Sequence, residues 1–523
     1  MIQPYISTAP SESDIQSTIS AAGLRAIISF PSPSGRQSFH IIERPRVAFP
    51  PVAYTPSFLA SGRVLALPDA TLLGNIPTED EWAALWRAWD AVTLEMIPRA
   101  MLHQKPIDLR HKCLFYIGHI PTFLDMLLDR AVGGGPSEPA HFWRIFERGI
   151  DPHVDDPDHC HNHSEVPERD EDWPTLETII AFRDRVRARL MSLYADLRAG
   201  RVTLTRHIAR TLTYTLEHEG FHVETLLYML IQRAGTGTLP PPGFTTPPWE
   251  LLKAQWDATP APSSSTVSLG PAEVTLGHDD AEAEDSLPAH ADEAHITQHE
   301  FGWDNESPAR RVAVGAFRAE WRPVSNGEFA AFWCAGKVPM PKSWVEEDGE
   351  VKVRTMYGPV PFDVARHWPV LTAYDDLAVY AASKGGRLPT EPELRLFLDT
   401  YDAGHAGGAN VGFRNWHPVP ATAGLHAIAP DASDSAAFCT LAPGRGSNGG
   451  VWEWTSTKFD MHAGLTPTAL FPGYSTDFFD GKHHVVLGAS YATIPRLGRR
   501  TVRNFYQHNY PYPWVAARVV YDA

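Results

Sequence analysis

Four cysteines, with no C-x-x-C spacing among them, supply no disulfide framework, so Cys113, Cys160, Cys334 and Cys439 read as ordinary thiols of a reducing compartment. Basic residues are in deficit: 45 Lys and Arg stand against 62 Asp and Glu, a formal charge of −17. That balance disfavours a nucleic-acid partner and an anionic-membrane surface. No apolar run approaches the roughly 18 residues that a membrane span needs. The opening MIQPYISTAPSESD has neither the basic region nor the apolar core of a signal peptide. These absences lead to the expectation of a soluble, cytoplasmic protein with no membrane partner.

What is present points to a globular enzyme-sized chain. Hydrophobic residues at 43% and charged residues at 20% lie in the globular range, and 523 residues exceed one ordinary core, so two or three domains are expected. Residues 14–44 read as a short helix, IQSTISAAGL, followed by a strand pair, RAIISF and QSFHIIERP, about the turn PSPSGR. Residues 75–258 are helical in pattern. EDEWAALWRAWDAVTLEMI follows Thr78, a cap with acids in the first turn. LRHKCLFYIGHIPTFLDMLLDR, TLETIIAFRDRVRARLMSLYADLRAG and TLTRHIARTLTYTLEHEGFHVETLLYMLIQ complete an up-and-down four-helix bundle. TPPWELLKAQWDATPAPSSSTVS reads as a linker. Residues 266–523 have short strands, frequent turns, an acidic loop (DDAEAEDSLPAHADEAH) read as solvated, and one helix pair at SNGEFAAFWCAG and YDDLAVYAASKG. The fold class is therefore multidomain, an α bundle followed by an irregular α+β domain.

The sharpest chemical signal is Glu217-His218-Glu219-Gly220-Phe221-His222 within a helix. Imidazoles four residues apart project from one face and can close on a single metal, although such pairs also occur as ordinary core or surface histidines. Glu219 stands formally where a zincin carries its glutamate, which leaves a zinc protease open. His119, in the apolar FYIGHIPTFLD, needs a buried partner, and facing helices of a bundle are a recurrent place to assemble metal ligands. Three neutral imidazoles suit iron, zinc or copper and leave coordination positions open. A ligating imidazole must be neutral, so affinity is expected to fall below pH about 6.5. His159, His161 and His163, in DHCHNHSE, fit a solvated turn better than a second site.

The motifs FYIGHIPTFLD, PAHFWRIFERGIDPHVDDP, EHEGFHVETLLYML, FGWDNE, GGRLPTEPEL, GGVWEWTST, PGYSTDFFDGKHHVVLGAS and RNFYQHNYPYPW occur in this order. Across residues 77–523 the chain resembles the ergothioneine-pathway sulfoxide synthases of fungal type. The resemblance implies a DinB-like bundle at 75–258 and a formylglycine-generating-enzyme-like (C-type-lectin-like) domain at 266–523. Residues 1–45 resemble the closing strands of a fused methyltransferase, here without its S-adenosylmethionine loop, so this chain is not expected to methylate histidine. The implied reaction is oxidative C–S bond formation between hercynine and cysteine, with Fe(II) and O2, giving the sulfoxide. By position, His119, His218 and His222 would hold the iron. Asn504 would meet the carboxylate region of hercynine, and Arg148 would meet the cysteine carboxylate. Trp452 and Trp454 read as core of the second domain.

Three departures matter. Phe221 replaces a polar substrate contact of some bacterial relatives. Tyr506 replaces the aspartate that recognises γ-glutamylcysteine, which favours free cysteine. In Phe471-Pro472-Gly473-Tyr474 only Tyr474 keeps the hydroxyl of a tyrosine pair that supplies the active-site phenol. Tyr474 is therefore the expected proton donor. Alternatives are an iron thiol dioxygenase on the same scaffold, a zinc-dependent DinB-like thiol transferase, and a non-catalytic remnant.

Overall fold

A computed structural model describes residues 2–7, 18–19, 22–31, 38–50, 52, 75–151, 155, 161–162, 164–232, 238, 240–405, 408–422 and 447–523. Half of the helix expected at IQSTISAAGL, together with His159 and His163, lies outside these residues. The amino-terminal strand pair is present as β2 (Arg25–Pro31) and β3 (Ser38–Glu43), joined by a further strand, β1 (Ile2–Ser7), in the order β1-β3-β2. All pairings are antiparallel.

Four helices form the bundle: α1 (Glu79–Asp90), α2 (Cys113–Val132), α3 (Leu176–Arg198) and α4 (Arg206–Gln232). α1 starts where the capping pattern says it should. The Thr78 hydroxyl accepts from the Glu81 amide at 3.2 Å, and the Glu81 carboxylate accepts from the Thr78 amide at 2.8 Å. Two of the orphan amide groups of the first turn are satisfied in this way. The bundle core holds Trp82, Trp89, Leu190 and Tyr194. The Trp82 indole donates to the Tyr194 hydroxyl at 3.1 Å, which donates to the Pro77 carbonyl at 2.6 Å, so the polar atoms of these two side chains are paired.

Part of the expected linker is helical. α5 (Trp249–Ala258) lays Trp249 and Trp256 against Trp368, each with ring centroids 5.8 Å away. The helix pair beyond it is α6 (Asn326–Cys334) and α7 (Tyr374–Ser383). A third helix, α8 (Glu391–Tyr401), follows, capped by Thr390 and Glu393. Between α5 and α6 run β4 (Thr266–Leu269) and β5 (Phe317–Glu320), and after α8 come β6 (Trp452–Lys458), β7 (His483–Gly488), β8 (Asn504–Gln507), β9 (Val515–Ala516) and β10 (Val520–Asp522). Their sheets have the orders β8-β7-β6-β9 and β10-β5-β4. Trp452 and Trp454 are fully buried on β6. Within this domain Arg518 forks onto Glu453 at 2.8 and 2.7 Å, and Arg503 onto Glu391 at 2.6 and 3.0 Å, all four side chains buried. Breaking one such pair costs about 3–5 kcal/mol, because the survivor is left as an unpaired buried charge.

The acidic loop is only partly solvated. The side chains of Asp280 and Asp285 are covered beneath α4, where Arg210 donates to both carboxylates at 2.6 Å and Arg206 reaches Asp285 at 3.1 Å. A composition-based reading treats such a run as a water-facing surface. Two arginines on one face of α4 decide otherwise, by giving the carboxylates charged partners below the surface. Among the described residues, no helix is long and apolar enough to cross a membrane.

Candidate metal centre

His119 on α2 and His218 and His222 on α4 converge: their ligand-capable nitrogens all lie within 4.8 Å of one another. Ring centroids are 5.2 Å apart for His119 and His218, 4.8 Å for His119 and His222, and 4.5 Å for His218 and His222. Three imidazoles brought together by two facing helices make a donor set for a divalent metal.

Local packing explains the convergence. Gly118 precedes His119, and a side-chain carbon there would lie 2.6 Å from the ring of Phe146. Its absence lets the short helix Phe142–Phe146 press onto α2, and the Phe146 carbonyl then accepts from His119 Nδ1 at 2.7 Å. That bond fixes the ring's orientation and directs Nε2 toward the other histidines, as outer-shell partners of metal-binding imidazoles do. Phe115 stacks on His119 at 5.5 Å, and Phe123 stacks on His218 at 3.7 Å with 21° between the planes.

The electrostatics suit a metal. Burial pushes the His119 imidazole down to about 4, against the Phe146 carbonyl, which raises it. His218 and His222 are held well below the usual imidazole value, by burial first and then by the neighbouring imidazoles. All three are neutral at pH 7, the form that ligates. Nδ1 of His222 is buried with no hydrogen-bond partner. An orphaned imidazole nitrogen in an apolar wall is costly in a protein built for packing alone.

Glu219 does not face this centre. Its carboxyl stands near Arg187, Asp90, Arg183 and Trp86, on the α1 and α3 side of the bundle, and burial raises it to about 7. Glu219 is therefore not placed as a zincin-type general base, which removes the protease reading drawn from it.

The wall between the histidines and the second domain is aromatic: Phe123, Leu127, Tyr214, Trp303 and Leu470 form one buried cluster, with Phe221, Phe471 and Tyr474 packed on it. Phe471 touches Phe123 at 4.9 Å. Tyr474 stacks on Trp303 at 4.0 Å, and Trp303 on Tyr214 at 4.4 Å. Burial, reinforced by Asp304, Glu306 and Glu217, raises the Tyr474 phenol well above 10, so it keeps its proton. Beyond the Phe123–Phe471 pair lies a cavity of about 270 Å3, which Arg130, Glu147 and Arg148 also line. Arg148 donates to Asp477 at 2.6 Å. On the other side of the centre, Tyr116 lies 6.2 Å from His222. Asn504, on β8, accepts from the Phe505 amide at 2.8 Å and donates to the Tyr506 hydroxyl at 3.4 Å. Tyr506 lies 6.2 Å from Tyr510 and 6.4 Å from Tyr228. Sequence reasoning missed Phe123, Trp303 and the Phe146 carbonyl. FGWDNE was a legible motif, but nothing in it says that its indole stacks on the loop carrying Tyr474.

Comparison with known proteins gives the same two-part division. Residues 257–523 match the sulfatase-modifying factor enzyme 1-like domain, and residues 77–226 match the DinB superfamily. The chain is 37% identical to ergothioneine biosynthesis protein 1 of Neurospora crassa, covering 87% of this chain and 59% of that protein. It is 36% identical to ergothioneine biosynthesis protein 1 of Schizosaccharomyces pombe, covering 85% and 56%. It is 29% identical to hercynine oxygenase of Mycolicibacterium thermoresistibile, covering 55% and 64%. The chain thus spans less than two thirds of the length of each of these relatives.

Proposed function

We propose that this chain, which belongs to the sulfatase-modifying factor enzyme 1-like domain family, is an iron(II) sulfoxide synthase that joins hercynine to cysteine in the cytoplasm. The observation that carries the reading is the convergence of three neutral imidazoles, two buried and one half-buried, at the junction of the bundle with the second domain. His119, His218 and His222 would hold the metal. When bound, iron(II) supplies dioxygen activation for a four-electron oxidation: hercynine and cysteine are joined through sulfur, one oxygen atom enters the sulfoxide and the other leaves as water.

The protein's own groups have definite tasks in this proposal. The Phe146 carbonyl and the ring of Phe123 orient His119 and His218. The aromatic wall of Phe221, Trp303 and Phe471 keeps water from the reacting atoms. Arg148, at the rim of the cavity, takes the cysteine carboxylate by a charge-assisted bond. Asn504 would meet the carboxylate region of hercynine, and Tyr506 would stand at the amino end of the sulfur donor. Tyr474, held protonated by burial and by nearby carboxylates, donates the proton that steers the outcome to C–S bond formation.

Aerobic incubation with iron(II), hercynine and cysteine, read by mass spectrometry, tests the function. The sulfoxide conjugate is the expected product. Formation of neither the conjugate nor cysteine sulfinate overturns the reading. A second reading, a thiol dioxygenase giving only the sulfinate, is favoured by one observation: Phe471, without a hydroxyl, is the ring of its loop that meets His218.

A further inference from the structure

The loop Thr493–Arg499, between β7 and β8, presses on α4 at three points. Thr493 donates to Glu224 at 2.6 Å. A side-chain carbon at Gly220 would lie 2.7 Å from Ile494 Cδ1 and 3.3 Å from Leu497 Cδ1. Arg499 donates to Glu217 on α4 and at the same time to Glu306 of the second domain, its Nε lying 3.1 Å from the Glu306 carboxylate. All three charged side chains of that bridge are buried.

These three points share one stripe. At 3.6 residues per turn, Glu217, Gly220 and Glu224 fall within about 60° of each other, and His218 and His222 point roughly 150° away. The helix is therefore clamped from behind along the turns whose other face carries two metal ligands. A rotation of α4 by about 10° would move an atom about 6 Å from its axis by about 1 Å. A metal–ligand bond tolerates about 0.2 Å.

We propose that the loop Thr493–Arg499 is a positioning element of the metal centre, which fixes the rotation of α4 through Gly220, Glu224 and the Glu217–Arg499–Glu306 bridge. It rests on the reading of the histidines as a metal site. The second domain then does more than cover the centre: it sets the ligand geometry inside a helix of the first.

Gly220→Ala tests this with little confusion from helix stability, since alanine is the better helix former by about 1 kcal/mol. The readout is cobalt(II): its ligand-field absorption reports coordination geometry, and titration reports affinity, neither requiring turnover. The expected result is a changed spectrum and an affinity roughly 10- to 100-fold weaker, the usual cost of disturbing outer-shell support. Ile494→Ala added to Gly220→Ala removes the obstructing atoms and should restore both. Thr493→Val, near-isosteric, should weaken binding in the same direction, and serves if Gly220→Ala does not fold. Cobalt binding unchanged from the parent in both Gly220→Ala and Thr493→Val overturns the proposal while leaving the metal reading intact. Failure of the parent protein to bind one equivalent of cobalt overturns the metal reading and, with it, the positioning role.

Discussion

Phe471 meets the imidazole of His218 edge-on, with ring centroids 5.8 Å apart and planes at 88°, while Tyr474, three residues on, packs 4.0 Å over Trp303. The two rings touch each other at 5.6 Å. The loop is held by Ser475, whose hydroxyl donates to Asp304 at 2.5 Å and accepts from Asn305 at 3.1 Å, so its position is set by the FGWDNE segment. The ring facing the metal centre therefore lacks a hydroxyl, and the phenol stands next to it.

That arrangement sets the expected partition between sulfoxide and sulfinate. Both products draw on the same thiol and the same oxidant, so a barrier difference of about 1.4 kcal/mol changes their ratio tenfold. Tyr474→Phe should shift turnover toward cysteine sulfinate by about that factor, with iron content unchanged. Phe471→Tyr should raise the sulfoxide share, by adding a second phenol against His218. Product ratios by mass spectrometry decide. An unchanged ratio in both variants would remove this loop from the proton-transfer step.

Removing a ligand should be more drastic. His218→Ala or His222→Ala is expected to abolish stoichiometric iron binding, read by elemental analysis, with helical content preserved by circular dichroism. His119→Ala should do the same and also leave the Phe146 carbonyl without its donor, a further cost of about 1–3 kcal/mol in stability. Full iron content in His218→Ala would sink the assignment.

Much of this centre was legible in the sequence because helical periodicity carries it. His218 and His222 share a face by their spacing alone, and His119 stands out as a lone imidazole in an apolar run. The aromatic wall was not legible: Phe123, Trp303 and Phe471 come from three distant segments that only tertiary packing joins. α8 lies outside the expected helix pair although its capping box, Thr390 to Glu393, is a local signal; GGRLPTEPEL reads as a motif before it reads as a helix start. The burial of Asp280 is a different case, since the arginines that bury it lie on α4, far away in sequence.

Acid should reveal the burial of the histidines. An ordinary imidazole titrates near 6.5, which would place the loss of metal affinity there. Burial holds His119 down to about 4 and His218 and His222 well below their usual value. A base whose folded value is depressed stays neutral in the folded state while the unfolded chain takes up protons. Its contribution to stability is thus present above about 6.5 and is lost as pH falls through about 4. Cobalt affinity should stay flat from pH 7.5 to about 5.5 and fall only below that, while the metal-free melting temperature declines already from about pH 6.5. A loss of affinity centred near pH 6.5 would mean that solvent reaches these rings.

In the proposed reaction, the choice of sulfur donor is expected to turn on Tyr506. Its ring packs near Tyr228, Tyr510 and Trp454, and burial raises its phenol, so no negative charge stands at this position. The ammonium of a γ-glutamyl group would find no carboxylate there, and desolvating it without a partner costs more than a hydrogen bond to a phenol returns. Cysteine should therefore exceed γ-glutamylcysteine in kcat/KM by about tenfold or more, about 1.4 kcal/mol of transition-state stabilisation. Arg148 is shared with Asp477, so Arg148→Met should raise KM for cysteine more than it lowers kcat, the pattern of a lost binding contact. Asp477→Asn, which removes the negative charge beside that guanidinium, should lower that KM. Steady-state kinetics with both thiols measure each effect. Equal or better kcat/KM with γ-glutamylcysteine would show that the donor's amino end is read by groups other than Tyr506, and an unchanged KM in Arg148→Met would move the carboxylate contact away from this cavity.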